Sequence, residues 1–252
     1  MKKIFSTIIF IIICVFTINA QTITVRFNNL FNGTPLEFGK HYKTPLGDSA
    51  KFSTLNYFIS NIKLVKPNGE LYAVPQDSSY FLLKQTTDAS ASIQLNNVPA
   101  GNYTGIKFTI GVDSIRNTMD VAYRTGSLDV GGAARGMYWV WNSGYIFFKL
   151  EGTTINEVSA LRKSFRYHIG GYGGYETKSI NNIKSKEFSF ANMEIGLNKK
   201  PIIDISVSID QFFNAITPIR ILEHPSVMSG NFSGKIAENY ATIFNLEKIS
   251  YE

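Results

Sequence analysis

The chain has 252 residues, of which 44% are hydrophobic and 17% are charged, and its formal net charge at pH 7 is +6. This composition excludes a disordered chain, and the scattered Lys and Arg residues form no stripe that could follow a phosphate backbone, which argues against nucleic-acid binding. The single cysteine, Cys14, lies within the first 20 residues, so the rest of the chain has neither disulfides nor thiolate metal ligands.

The first 20 residues are predicted to be a secretory signal peptide. Lys2 and Lys3 precede an apolar run over residues 8–16, and the small residue Ala20 stands where an alternating pattern begins. The apolar run is shorter than the ~20 residues that a permanent transmembrane helix needs. We therefore expect an exported protein, periplasmic or at the cell surface, with one domain over residues 21–252.

From residue 21 onward the hydrophobic period is two. Ile23, Val25 and Phe27 alternate with polar residues, as expected of a strand that buries one face. Turn-forming residues separate further segments of the same kind, at 51–65, 71–72, 79–83, 92–95, 106–112, 137–150, 164–169, 187–195 and 202–209. About ten such strands predict an all-β fold, an antiparallel β-sandwich of the Greek-key or immunoglobulin-like kind.

Two segments depart from this period. Residues 114–134 are rich in Gly, Asp, Asn and Thr and predict a long loop or a short helix over one end of the sheets. Residues 234–247 carry Ile236, Tyr240 and Ile243 at spacings of three and four. This stripe, which continues to Phe244 and Glu247, predicts one amphipathic C-terminal helix packed on the sandwich.

Both tryptophans of the chain, Trp139 and Trp141, lie in one aromatic stretch over residues 136–152. In an extended strand they project from the same face as Met137. Two interpretations are open, because aromatic side chains in strands commonly fill the core and can also form a site.

The histidines are the other candidates for chemistry. The chain has three, His41, His168 and His224, and any transition-metal site must draw its imidazoles from them because thiolate is absent. His168 ends a predicted strand, although a lone histidine can also be purely structural. Glu151, at the end of a mostly apolar strand, needs a polar partner. It either orients an imidazole or bonds a loop.

Five stretches together are similar to the MbnP-like family of exported copper-binding proteins, whose name comes from methanobactin gene clusters. They are residues 136–145 (GMYWVWNSGY), 57–62 (YFISNI), 111–114 (GVDS), 167–171 (YHIGG) and the tail from 224–228 (HPSVM) to 239–240 (NY). Methanotroph members often carry histidine just before the first tryptophan of this motif, where this chain has Tyr138.

The resemblance implies a β-sandwich that binds copper, for storage, delivery or other copper handling. It implies ligation by histidine together with kynurenine, an oxidised tryptophan made by a partner di-haem enzyme of the peroxidase type. On this chain the convertible residue is Trp139 or Trp141. His168 is the first candidate for the imidazole ligand, with His41 and His224 in reserve.

Two other functions are weighed beside copper binding. Six aromatic residues offer an exposed platform for sugar rings, as in a secreted carbohydrate-binding or adhesion module: Tyr138, Trp139, Trp141, Tyr145, Tyr172 and Tyr175. Hard oxygen donors gather in the long loop, as a calcium site requires, but their spacing does not match an EF-hand loop and turn and capping roles explain them better: Asp113, Ser114, Asn117, Asp120 and Asp129. No catalytic motif appears, so we expect no enzyme activity.

Overall fold

A computed structural model of the protein describes residues 20–86, 90–141, 144–155 and 161–252. The predicted signal peptide lies outside these residues except for Ala20. The strands are β1 (Ala20–Phe31), β2 (Thr34–Pro35), β3 (His41–Lys43), β4 (Ser49–Val65), β5 (Leu71–Ala73), β6 (Tyr80–Lys84), β7 (Ser90–Pro99), β8 (Gly101–Ile110), β9 (Tyr138–Trp139), β10 (Gly144–Ile155), β11 (Arg162–Gly170), β12 (Lys184–Ile195), β13 (Pro201–Ser208), β14 (Ser226–Val227) and β15 (Phe244–Tyr251). The α-helices are α1 (Ser114–Thr118) and α2 (Asn231–Thr242).

The strands form two sheets that share one hydrophobic core. The smaller sheet has the order β15-β13-β1-β2, with β7 also paired to β1. The larger has the order β12-β8-β4-β10-β11-β14, with β3, β5 and β6 on β4 and β9 on β10. Described pairings are antiparallel except for β1 with β13 and β11 with β14. The predicted all-β sandwich is confirmed, and the two parallel pairings add a feature that alternation along one strand cannot reveal.

Alternation explains why β1 forms where it does. Ile23, Val25 and Phe27 are almost completely buried, whereas Thr24 and Arg26 between them stay partly exposed. Burying a side chain of this size contributes about 1.5–3 kcal/mol. The sequence pattern therefore decides which face of the strand meets the core.

The long strand β4 positions the rest of the larger sheet. Its residue Tyr57 pairs with Phe148 of β10 on one side and with Leu83 of β6 on the other. Consequently β10 and β11 extend one flank of the sheet, while β6 lies on the opposite flank.

The C-terminal helix is present, but its end differs from the prediction. Helix α2 stops at Thr242, and Ile236 and Tyr240 on its apolar stripe are fully buried. Phe244 to Tyr251 instead form β15, antiparallel to β13. The predicted extension to Glu247 was wrong because Phe244 and its neighbours complete a sheet edge rather than another helical turn.

The segment from 114 to 134 contains α1 and two short 3-10 turns, as the prediction of a long loop or short helix anticipated. It covers a second buried cluster on the outer face of the larger sheet, which includes Phe58, Tyr145 and Trp139. Among the residues that the structure describes, no helix combines the length and hydrophobicity needed to cross a membrane.

Candidate metal centre

The outer face of β10 and β11 carries the polar residues of the candidate site. Leu150 and Tyr167 point into the core and are fully buried, whereas Lys149, Glu151 and His168 alternate with them and remain partly exposed. In the β10–β11 register, Lys149 lies directly opposite His168. The alternation along β10 and β11 therefore brings the side chains of Lys149, Glu151 and His168 together, next to the second buried cluster.

His168 and Glu151 form a close pair. The distance from Nε2 of His168 to Oε1 of Glu151 is 2.7 Å. The second carboxylate oxygen accepts a hydrogen bond from Oγ1 of Thr54 at 2.9 Å, and Nζ of Lys149 lies 3.7 Å from Oε1. Of the two roles open for Glu151, the geometry assigns the orientation of an imidazole.

The environment favours a neutral imidazole beside an ionised carboxylate. Burial lowers the pKa of His168 below its ordinary value, and Lys149 adds to this effect, although Glu151 opposes it. Burial alone would raise the pKa of Glu151, but hydrogen bonds from His168 and Thr54 and the charge of Lys149 hold that pKa below its ordinary value. A neutral ring that donates its Nε2 proton to Glu151 carries its lone pair on Nδ1, the form that binds metals.

Trp139 lies on the same strand face as His168. A Cβ atom at Gly170 would stand 2.8 Å from Cζ3 of Trp139 and 2.3 Å from the carbonyl oxygen of Tyr145. Only glycine therefore lets the indole pack here, two residues beyond His168, where side chains return to the same face. Trp139 is 6% exposed.

Trp141 has a different environment. Its side chain is 65% exposed, yet its ring lies against that of Trp139, with ring centroids 5.1 Å apart. The fully buried Met137 completes the row that the sequence predicted. The three residues lie in one row, as predicted. Met137 and Trp139 are buried in this row, whereas Trp141 at its end is exposed.

Tyr138 points away from this row. Its ring packs edge-on against Tyr145, with ring centroids 5.4 Å apart, and the guanidinium of Arg124 lies 4.9 Å from its centroid. Arg124 is itself buried, and it donates to the carbonyl oxygens of Asn117 and Met119. At the position where methanotroph family members often carry histidine, this chain thus has a phenol ring against a buried cation.

Met228 lies near the candidate site, and the sequence reasoning did not select it. It follows β14 directly, and Val227 of β14 pairs with Tyr167, so Met228 is next in register to His168. Its side chain packs against the buried cluster that contains Trp139. Its membership of the tail segment 224–228 did not single it out, because its position next to His168 in register depends on the short parallel pairing of β11 with β14.

The other histidines lie elsewhere. His41 is exposed on β3 opposite Lys51, five residues along β4 from the row of His168 and three strands across, roughly 20 Å away by strand spacings. His224 precedes β14, and its ring stacks on Phe232 of α2 with centroids 3.9 Å apart. The fold brings neither imidazole beside His168.

The aspartate side chains of the long loop accept hydrogen bonds from backbone amides. Asp113 caps α1 by accepting from the Arg116 amide, Asp120 accepts from the Ala122 amide, and Asp129 accepts from the Gly131 amide. The turn and capping roles that were weighed against calcium are therefore the observed ones. Within the described ranges, no three side chains among His, Cys, Asp and Glu form a metal-binding group.

The aromatic platform expected for sugar rings is not formed. Tyr145 is fully buried and Trp139 nearly so, because both fill the cluster under the long loop. Trp141 and Tyr175 remain strongly exposed. The hypothesis of one exposed surface through all six rings was wrong.

Comparison with known proteins gives two matches. The MbnP family model matches residues 20–229. Among solved structures, MbnP from Methylosinus trichosporium is similar at 15% sequence identity and a TM-score of 0.54, over 84% of this chain and 82% of that chain. This structural likeness bears on the fold alone, and no curated protein gives a significant match.

Proposed function

This chain belongs to the MbnP family, and on that premise and the geometry around His168 we propose that it is an exported copper-binding protein that stores, delivers or otherwise handles copper. Family membership rests on a match over residues 20–229. The observation that carries the site is the imidazole of His168, held by Glu151 through Nε2 on the face that also carries Trp139.

The donor chemistry suits a soft cation. Nδ1 of His168 is the ring nitrogen left for a metal, and a carboxylate on the opposite nitrogen is the usual outer partner of a metal-binding histidine. Met228 supplies a thioether next in register, and thioethers favour Cu(I). Since the described residues contain no cluster of three His, Cys, Asp or Glu side chains, a further donor has to be of another kind.

We propose that this donor arises from Trp139. Cleavage of the C2–C3 bond of the indole, with two oxygen atoms taken from two molecules of peroxide, gives N-formylkynurenine and two molecules of water. Hydrolysis of the formyl group then releases formate and leaves kynurenine, whose aromatic amine can bind copper as an unmodified indole cannot. Trp139 is the better candidate than Trp141 because it lies over Gly170 on the strand of His168, whereas Trp141 faces solvent. A partner di-haem enzyme of the peroxidase type would carry out the oxidation, with peroxide as oxidant.

Export follows from the predicted signal peptide, so the oxidation and the copper loading would take place outside the cytoplasm. Such a location also fits a chain whose only cysteine lies in that segment. We propose a periplasmic or surface location, which fractionation of the producing cells tests.

Copper retention by matched variants tests the proposal. The chain is produced with and without its di-haem partner, dialysed against a Cu(I) chelator, and analysed for copper and for the mass of the peptide with Trp139. We expect copper only in the oxidised protein, loss of copper in His168→Ala and Trp139→Phe, and retention in His224→Ala and Trp141→Phe. Equal copper content in His168→Ala and His224→Ala, or oxidation confined to Trp141, contradicts the proposed site.

A further inference from the structure

A polar cleft lies on the opposite flank of the larger sheet from His168. It has a volume of about 810 Å³, and its walls are the turn before β6, the exposed row of β7 and the loop after α1. A second depression of about 480 Å³ adjoins it and shares Phe81, Gln94 and Ser127 in its lining. Strand β6 is three strands from β11, roughly 14 Å across the sheet, and the cleft is separate from the candidate copper site.

The larger cleft has balanced charge. Arg116 and Asp77 are the charged side chains of its lining, and they form an ion pair with each other. Arg116 is fixed further by the ring of Tyr80, 5.4 Å from its guanidinium carbon, and by the thioether of Met119, 3.4 Å from Nη1. A wall whose two charges cancel selects neither phosphates nor metal cations, and it suits a neutral ligand.

Hydrogen-bonding groups line both walls. Gln94 and Asn96 are two residues apart on β7, so both exposed amides project from one face about 7 Å apart. Oδ1 of Asn96 accepts from Oγ1 of Thr22 at 3.0 Å, which orients its amide nitrogen. The opposite wall has the hydroxyls of Ser78 and Ser127. Amides and hydroxyls that both donate and accept match the neighbouring hydroxyls of a sugar ring.

An aromatic ring stands at the rim of the same cleft. Tyr123 is 72% exposed, and Phe81, which also lines the cleft, is partly buried. A flat ring with an apolar face and a polar edge packs well against the C–H face of a sugar. The volume is within the roughly 300–1,000 Å³ of small-ligand clefts.

From neutral walls, paired amides and the exposed tyrosine, we infer that this cleft binds a short neutral oligosaccharide. The inference is independent of copper binding, because it uses none of the residues around His168. It also places carbohydrate recognition in the cleft between β6 and β7, and not at the buried rings near Trp139 that the sequence suggested.

A glycan array with neutral and acidic oligosaccharides and a set of neutral peptides, probed with the mature chain, tests the inference. We expect binding to neutral glycans alone, and titration with the strongest of them to give a Kd that Tyr123→Ala weakens about tenfold. Gln94→Ala is expected to weaken binding as well, and thermal melting shows whether each variant remains folded.

Tyr175→Ala is the matched control, since Tyr175 is 77% exposed and lies outside the cleft lining. It is expected to bind as the parent does. Absence of any glycan binding, binding to acidic glycans or peptides alone, or a loss in Tyr175→Ala that Tyr123→Ala does not show would overturn the inference.

Discussion

Replacing Glu151 by Gln tests whether the carboxylate orients His168. The change keeps the size of the side chain and one acceptor oxygen but removes the charge. In the native protein one oxygen lies 2.7 Å from Nε2 of His168 and the other accepts from Thr54 at 2.9 Å. The amide is neutral and has a single oxygen, so both contacts lose a charged acceptor: one donor keeps a neutral oxygen and the other faces the amide nitrogen.

The expected loss of stability follows from these contacts. A hydrogen bond to a charged group stabilises by about 1.5–3 kcal/mol and one between neutral groups by about 0.5–1.5 kcal/mol, which makes the difference about 1–1.5 kcal/mol for each of the two contacts. Glu151 and His168 are 26% and 12% exposed, so solvent screens the pair only in part. Each kcal/mol shifts the Tm of a domain of this size by roughly 2–4 °C, and the two contacts together give about 2–3 kcal/mol. Glu151→Gln should therefore melt about 4–12 °C lower, towards the smaller value because of the screening.

The pH dependence has a definite sign. The pKa of folded His168 is below its ordinary value of 6.5, so the unfolded chain takes up this proton first and stability falls as pH drops below 6.5. The pKa of folded Glu151 is below its ordinary value of 4.5. Its contribution is therefore also present at neutral pH and is lost as pH falls through the folded pKa. Both groups destabilise the fold in acid.

Two measurements check this account. Denaturant unfolding at pH 7 and pH 5 gives the stability difference, and NMR titration separates the imidazole of His168 from those of His41 and His224. In Glu151→Gln the carboxylate no longer raises the pKa of His168, so that pKa should fall further. Glu187→Gln is the control, because Glu187 forms an exposed ion pair with Lys107. If both variants melt alike and the His168 titration is unchanged, Glu151 does not orient the imidazole.

Two further substitutions test the packing around the site. Gly170→Ala should cost about 2–3 kcal/mol and shift the fluorescence of Trp139 to longer wavelength, because a methyl group there overlaps the indole and the carbonyl oxygen of Tyr145; an unshifted spectrum would show that Trp139 does not pack on this glycine. Arg124→Met should cost about 3 kcal/mol in urea unfolding, because it removes the Arg124 donor from the buried carbonyl oxygen of Asn117 and both Arg124 donors from the part-buried carbonyl oxygen of Met119. Stability within 0.5 kcal/mol of the parent, about the range of a surface substitution, would mean that Arg124 does not hold the loop.

Much of the fold could be predicted from the sequence because period-two alternation records burial directly. β4 was predicted over residues 51–65 and runs from Ser49 to Val65. Alternation does not specify partners, however, and the parallel pairing of β1 with β13 brings together segments about 180 residues apart. At the C-terminus, Ile243 and Phe244 fit the spacing of a helix and also the start of a strand. The chain forms strand β15 there because the edge of β13 offers backbone hydrogen bonds to it.

The candidate site could be predicted only in part. His168, Trp139 and Glu151 were identified from residue type, scarcity and position, but their proximity depends on the β10–β11 register, which sets Lys149 opposite His168 and places Glu151 diagonally across. Burial of one tryptophan and exposure of the other depends on the loop that covers the sheet. Met228 had no local signal strong enough to select it.

The most direct test of the copper site is a crystal structure of the copper-loaded protein in which Trp139 has been oxidised by the di-haem partner, with anomalous diffraction measured at the copper edge. The proposal predicts one anomalous peak within bonding distance of Nδ1 of His168, beside residue 139 and Met228. A peak at His41 or His224, or copper held with residue 139 still an intact indole, would contradict it.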